Sequence, residues 1–398
     1  MTQSATAHGD VHVVDTVRTP LGKFGGGLRA VRPDDLAATV LAALAERHPE
    51  AVAETDDVIL GNANGAGEEN RNVARMAVLL AGLPVRVPGA TVNRLCASGL
   101  EAVVCGYRAI ALGEADLVIA GGVESMTRAP FVLPKSDRPF PHAEQTLWST
   151  SIGWRMVNPA HDPAHTLPMG EGAEILAELY GVDRARQDAY ALDSHRKAAA
   201  AWADGRLAEE VVPGPWDLAR DESVRPDSTA ADLARLRPAF RAEGGTVTAG
   251  NSSPLNDGAA AVLLAGDRAV RRWGLPSLAR ITATGVSAGE PRLFGLGPVE
   301  ATERALRRRG RSVDEVGVME INEAFAAQVL ACLGHWPGLD PDAVNPQGGA
   351  IALGHPLGCT GARLVGTLAR QLDRGGASLG VASACIGVGQ GLAVVLER

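Results

Sequence analysis

Asn93-Arg94-Leu95-Cys96-Ala97-Ser98-Gly99-Leu100-Glu101-Ala102-Val103 opens a segment, Asn93–Val123, that lies without a gap over a second one, His355–Cys385. The overlay matches Gly99 with Gly361 and Leu117 with Leu379, and carries one strand–helix–strand unit onto another. Another overlay sets Asp57–Asn64 on Glu315–Asn322. Internal self-similarity of this kind points to a duplicated α/β domain.

The chain around the first copy alternates strand and helix. Residues 11–17 read as a strand, Pro33-Asp34-Asp35-Leu36 starts a helix that runs to Arg47, and Asp57–Asn64 reads as a buried strand entering a loop. Gly67–Ala77 starts a further helix with Met76 in the core. Asp116–Gly122 is nearly continuously apolar, as strands covered on both faces are. Such alternation implies stacked α/β layers. Gly25-Gly26-Gly27 reads as a plain loop, because no strand–G-x-G-x-x-G–helix context surrounds it. The expected division is a first core half over 1–122, an insertion over 123–246, a return to the first half over 247–272 and a second half over 273–398. The insertion is rich in Pro, Trp, His and charge, with a helix around Asp183–Asp204.

With 398 residues, 46% of them hydrophobic, the chain can bury a sizeable core. A formal charge of −8 argues against a general nucleic-acid binder, which needs clustered Lys and Arg; Arg307-Arg308-Arg309 reads as a solvated helix end. Met1–Val17 lacks the basic and apolar regions of a targeting signal, and no apolar run is long enough to span a membrane. Five cysteines without a C-x-x-C pair fit a reducing compartment and no metal site. The expected location is the cytoplasm.

Three element junctions carry chemistry. Cys96 stands between a β-branched run and a helix start, where unpaired N–H groups are expected to favour its thiolate. His355 lies on the Gly/Pro-rich turn Gly354-His355-Pro356-Leu357-Gly358, and Cys385 opens the glycine loop Cys385-Ile386-Gly387-Val388-Gly389. Two cysteines and a histidine among glycines point to covalent acyl chemistry. The histidines His8, His48, His142, His161, His165, His195 and His335 read as ordinary polar groups, and Cys105, Cys332 and Cys359 as structural.

Together with Gly250–Ala261 and Asn322-Glu323-Ala324-Phe325-Ala326, these motifs resemble a thiolase over nearly the whole chain, in order. The resemblance implies a duplicated five-layer αβαβα core whose paired central helices begin at Cys96 and Gly361. It also implies an inserted loop domain that covers coenzyme A. Coenzyme A is then a co-substrate, no cofactor is permanently bound, and the assembly is a homodimer or homotetramer. Cys96 is implied as the nucleophile, His355 as its base and Cys385 as the acid–base on carbon. The N–H groups of Cys96 and Gly387 form an oxyanion hole, and Asn322 holds a water that acts with His355. Ser253 touches the pantetheine arm, Gly250 and Asn256 shape that turn, and Met169 belongs to the covering loop.

Rival readings are a decarboxylating ketosynthase, which places His or Asn where Cys385 stands, and a non-catalytic thiolase-like acyl carrier, expected to lose Cys96 or the Gly-His-Pro run. Within the family, Gly67–Pro84, Gly122–Val132 and Ser151-Ile152-Gly153-Trp154-Arg155-Met156 resemble the 3-oxoadipyl-CoA branch. The acetoacetyl-CoA branch, the alternative, has a histidine where Pro168 precedes Met169-Gly170. A dicarboxylic chain needs a cation, for which Arg128, Lys135, Arg138 and Arg155 are candidates.

Overall fold

The computed structural model describes residues 9–398; His8 and the start of the stretch searched for a targeting signal lie outside them. The first half runs β1 (Val11–Arg18), α1 (Pro33–Arg47), β2 (Asp57–Gly61), α2 (Val73–Leu80), β3 (Gly89–Val92), α3 (Ser98–Ala111) and β4 (Leu117–Ser125). Pro33 presets the backbone of the first α1 turn, and Asp34 and Asp35 lie near its unpaired N–H groups. Helix α2 begins later than Gly67: Asn70 and Arg71 take left-handed conformations (φ 52° and 67°), and the Asn72 side chain caps the helix by accepting from Arg75 N at 3.3 Å. Met76 is only half-buried.

The segment after β4 contributes α4 (Met169–Leu179) and α5 (Arg184–Ala203), the latter capped by Asp183, which accepts from Arg186 N at 2.8 Å. The chain then enters β5 (Asn256–Gly266) and the second half: β6 (Ala279–Ala288), α6 (Gly297–Arg307), β7 (Val318–Ile321), α7 (Ala326–Leu333), α8 (Leu357–Asp373), β8 (Leu379–Ile386) and β9 (Gln390–Glu397).

The strand order β3-β2-β4-β5-β1 of one half is answered by β7-β8-β9-β6 of the other. A short antiparallel ladder, Val11–Val13 with Ala279–Ile281, joins them into one sheet path. Side chains alternate across β4: Val118 and Ala120 face α3 and α8, while Leu117 and Ile119 pack under α1 and α2. On the other half, Ala382 and Ala384 face the same central helices, and Val381 faces α6 and α7. The layers are therefore helix, sheet, paired helices, sheet, helix.

The paired helices touch through glycine. A Cβ on Gly99 would lie 2.4 Å from the Gly358 carbonyl oxygen, and one on Gly361 would lie 2.1 Å from Leu100 N. Only glycine permits this approach, which explains why the overlay matches these two residues. The other overlay needs correction. The ladders put Asp57 opposite Val118 and Val318 opposite Gly380, so Asp57 corresponds to Val318 and not to Glu315. Glu315 ends a 3₁₀ turn capped by Ser312, which delays the strand.

Candidate active site

Cys96 lies in a single 3₁₀ turn, Leu95–Ala97, between β3 and α3. Leu95 is left-handed at φ 49°, a conformation that costs a branched residue roughly 1–2 kcal/mol. Neighbouring side chains hold it. Asn93 Oδ1 accepts from Leu95 N at 2.9 Å, and Ser98 Oγ accepts from Arg94 N at 2.9 Å while donating to Leu95 O at 2.7 Å. Across the site Val388, also left-handed at φ 56°, follows Gly387. Both strained residues thus adjoin the residues, Cys96 and Gly387, whose N–H groups favour the charged form of the Cys96 sulfur.

The expected acidic thiol is not found. Burial pushes the Cys96 thiol up to about 11, Glu124 pushes the same way, and the two N–H groups only partly oppose them. Cys96 is half-buried as a residue and lines the cavity, and the protein around that cavity withholds enough water to disfavour the thiolate.

His355 is fixed from three sides. Its backbone N–H donates to Asn256 Oδ1 at 3.1 Å, Nδ1 lies 2.7 Å from Thr360 Oγ1, and Nε2 lies 3.3 Å from Asn322 Nδ2. An amide nitrogen can only donate, so Nε2 is the unprotonated ring nitrogen and Nδ1 carries the hydrogen. Thr360 accepts that hydrogen and passes its own to Pro356 O at 2.9 Å. Burial, with the charge of Arg363, pulls the imidazole down to about 3. The thiol and the imidazole are both neutral at pH 7, with the basic nitrogen on the side of Asn322. Alkylation of Cys96 by iodoacetamide should accordingly keep accelerating from pH 7 to pH 10, because a thiol with a raised pKa continues to gain thiolate there. A rate already level near neutral pH would reveal a thiolate–imidazolium pair and sink this description.

Cys385 is the next-to-last residue of β8 and is 1% exposed; burial raises its thiol, and a charge on Cys96 raises it further. It shares a cavity of about 790 Å³ with Cys96, His355, Gly387, Glu124, Arg155, Ser253 and Met169, a size suited to an organic ligand. Met169 packs with Cys385, Phe294, Ala324 and Phe325. Ser253 is tied to the Asn322 loop by its N–H to Ala324 O, 3.0 Å. Asn322 is fully buried behind His355, and its Oδ1 has no protein partner among the described residues.

Two assigned residues lie elsewhere. Gly250 is buried outside the cavity lining, where a Cβ would strike Leu236 and Leu233 at 2.4 and 2.7 Å. Arg128 is held by Glu68 at 2.5 and 2.7 Å and does not line the cavity. Lys135 and Arg138 are exposed away from it. Conversely, Glu124 was not anticipated. Its carboxylate accepts from the N–H groups of Ala63 (2.9 Å), Asn64 (3.1 Å) and Gly358 (2.9 Å) and from Asn62 Nδ2 (3.3 Å), joining both halves beside the nucleophile. Burial pushes it up to about 7. A lone carboxylate closing the apolar run Leu117–Val123 was the available signal.

A thiol under two N–H groups, a neutral imidazole and a second thiol in one cavity are the equipment of a cysteine-based acyl transferase. The chain belongs to the thiolase family: the thiolase N-terminal domain matches residues 11–268 and the C-terminal domain residues 275–398. It is 52% identical to a beta-ketoadipyl-CoA thiolase of Pseudomonas aeruginosa, over 98% of this chain and 99% of that one. A 3-oxoadipyl-CoA/3-oxo-5,6-dehydrosuberyl-CoA thiolase of Escherichia coli strain K12 is 50% identical over 98% and 99%. Human mitochondrial 3-ketoacyl-CoA thiolase, solved in complex with CoA, superposes with a TM-score of 0.92 at 36% identity, over 98% of each chain. Among the described residues, no helix is long and apolar enough to cross a membrane.

Proposed function

We propose that this thiolase cleaves 3-oxoadipyl-CoA with coenzyme A, giving acetyl-CoA and the four-carbon dicarboxylic acyl-CoA. The observation that carries the chemistry is the convergence of Cys96, His355 and Cys385 on one cavity, with the Gly387 and Cys96 N–H groups on the nucleophilic sulfur. The named activities of the half-identical relatives support the substrate.

His355 Nε2 takes the Cys96 proton as the sulfur attacks the 3-oxo carbon, so charge develops only in the transition state. Collapse of the adduct breaks the C2–C3 bond. Cys385 protonates C2 of the departing enolate, and the acyl group stays on Cys96 as a thioester. After acetyl-CoA leaves and proton return resets the two groups, His355 takes the thiol proton of coenzyme A, whose sulfur displaces Cys96. Two N–H donors near the acyl sulfur can stabilise the oxyanion of this second adduct, each such donor being worth about 3–4 kcal/mol. Asn322 Oδ1 holds a water that acts with His355 on the other thioester oxygen, and Ser253 contacts the pantetheine arm. Coenzyme A as a passing co-substrate, the 123–246 insertion as its cover, a homodimer or homotetramer, and a cytoplasmic location belong to the same reading.

Coenzyme-A-dependent cleavage across a panel of 3-oxoacyl-CoA esters tests it. The expected result is a kcat/KM for 3-oxoadipyl-CoA at least about tenfold above that for acetoacetyl-CoA, a difference of about 1.4 kcal/mol in transition-state binding. Equal or better use of acetoacetyl-CoA would return the enzyme to the acetoacetyl-CoA-forming branch.

A further inference from the structure

Arg155 and Glu124 are the charged side chains of the cavity lining. The Glu124 carboxylate is engaged by backbone N–H groups, whereas Arg155 Nη2 donates to the neutral Asn64 Oδ1 at 3.1 Å and, among the described residues, meets no carboxylate. Arg155 is half-buried on the cavity wall and, among the described residues, carries no ion pair, so its guanidinium is free to meet an anionic ligand that enters the cavity.

Its loop is packed against the turns that carry the nucleophile and Gly387. The preceding residue, Trp154, lies over Gly387: a Cβ there would be 3.1 Å from the indole ring and 3.3 Å from Leu95 Cδ1. The indole N–H donates to Leu167 O at 3.2 Å, which holds the loop down. On the other side, Arg155 grips Asn64, and the adjacent Ala63 O accepts from Asn93 Nδ2 at 2.9 Å. Asn93 is the residue whose Oδ1 holds Leu95 N, next to the nucleophile. The guanidinium is thereby tied to the turn that carries Cys96. Asn64 Nδ2 donates to Thr150 Oγ1 at 3.0 Å, so the arginine's partner is itself restrained.

We propose that Arg155 is the specificity-determining cation that binds the terminal carboxylate of a dicarboxylic 3-oxoacyl chain. This rests on the thiolase reading above. The planar fork of N–H donors suits a carboxylate in two parallel hydrogen bonds. A chain ending in methyl leaves the cation unpaired beside apolar atoms, so the residue both favours the diacid and disfavours the monoacid.

The test compares 3-oxoadipyl-CoA with 3-oxohexanoyl-CoA, which has the same six carbons and a methyl end, in the full-length wild type, R155Q and R155K. R155Q is expected to lower kcat/KM for 3-oxoadipyl-CoA about 10- to 100-fold while leaving 3-oxohexanoyl-CoA unchanged or improved, with the KM for coenzyme A constant. R155K should recover part of the loss, having the charge without the fork. Equal losses on both substrates, or a raised KM for coenzyme A with both, would overturn the carboxylate site and leave the substrate reading standing. A wild type that prefers 3-oxohexanoyl-CoA, with the diacid still lost selectively in R155Q, would overturn the substrate reading and keep the site.

Discussion

Cys96→Ser should lose thiolysis by on the order of 10⁴-fold or more, because every step of the proposed chemistry passes through a bond to that sulfur. The substitution keeps shape and hydrogen bonding, and the hydroxyl fits the N–H groups of Cys96 and Gly387 that now meet Sγ. An oxygen at this place is a far weaker nucleophile, and the neutral His355 beside Asn322 is too poor a base to ionise it. The direct measurement is acid trapping during turnover of a 3-oxoacyl-CoA, followed by peptide mapping. Wild type should carry the acyl group on Cys96 and the serine variant should carry none. Label on Cys385 in either protein would overturn the assignment, and a matching thermal melt would show that the variant is folded.

Cys385→Ala should separate the two cysteines by role. Exchange of acetyl-CoA methyl protons with solvent deuterium is expected to fall about 10²–10⁴-fold, the usual contribution of one general acid–base group. Acylation of Cys96 by acetyl-CoA should persist, since its nucleophile, base and N–H donors are untouched. The raised Cys385 thiol fits this role: burial keeps it protonated, and a protonated thiol is what a departing enolate needs. Undiminished proton exchange in the variant would remove Cys385 from the carbon chemistry.

The parts legible in the sequence were those where backbone geometry dictates residue type. Gly99 and Gly361 had to be glycine because two helices cross there, so the duplication left a visible trace. Cys96, His355 and Cys385 were readable because each stands at an element junction. The ionisation of Cys96 was not readable. It depends on how closely the segment after β4, through Trp154, Met169 and their neighbours, encloses the cavity, and a helix terminus alone predicts the opposite sign. Nor could sequence separate Arg155 from Arg128. Both lie in polar loops, and only the fold shows that Glu68 claims one while Asn64 presents the other to the cavity. Gly250 does sit in a turn before Ser253, but it packs against Leu233 and Leu236 outside the cavity lining, which a family motif alone does not distinguish from a place at the ligand.

The overlay of the two halves has an asymmetric outcome. Where one copy has His355 the other has Asn93, where one has Cys96 the other has Gly358, and Cys385 faces Val123. No mirror-image reaction centre is built from Asn93, Gly358 and Val123. Two of the three are instead props for the centre that exists: Asn93 steadies the turn before Cys96, and the Gly358 N–H anchors Glu124 beside it. The one centre that exists is thus assembled and braced by both halves, and neither, expressed alone, would contain both a nucleophile and its base.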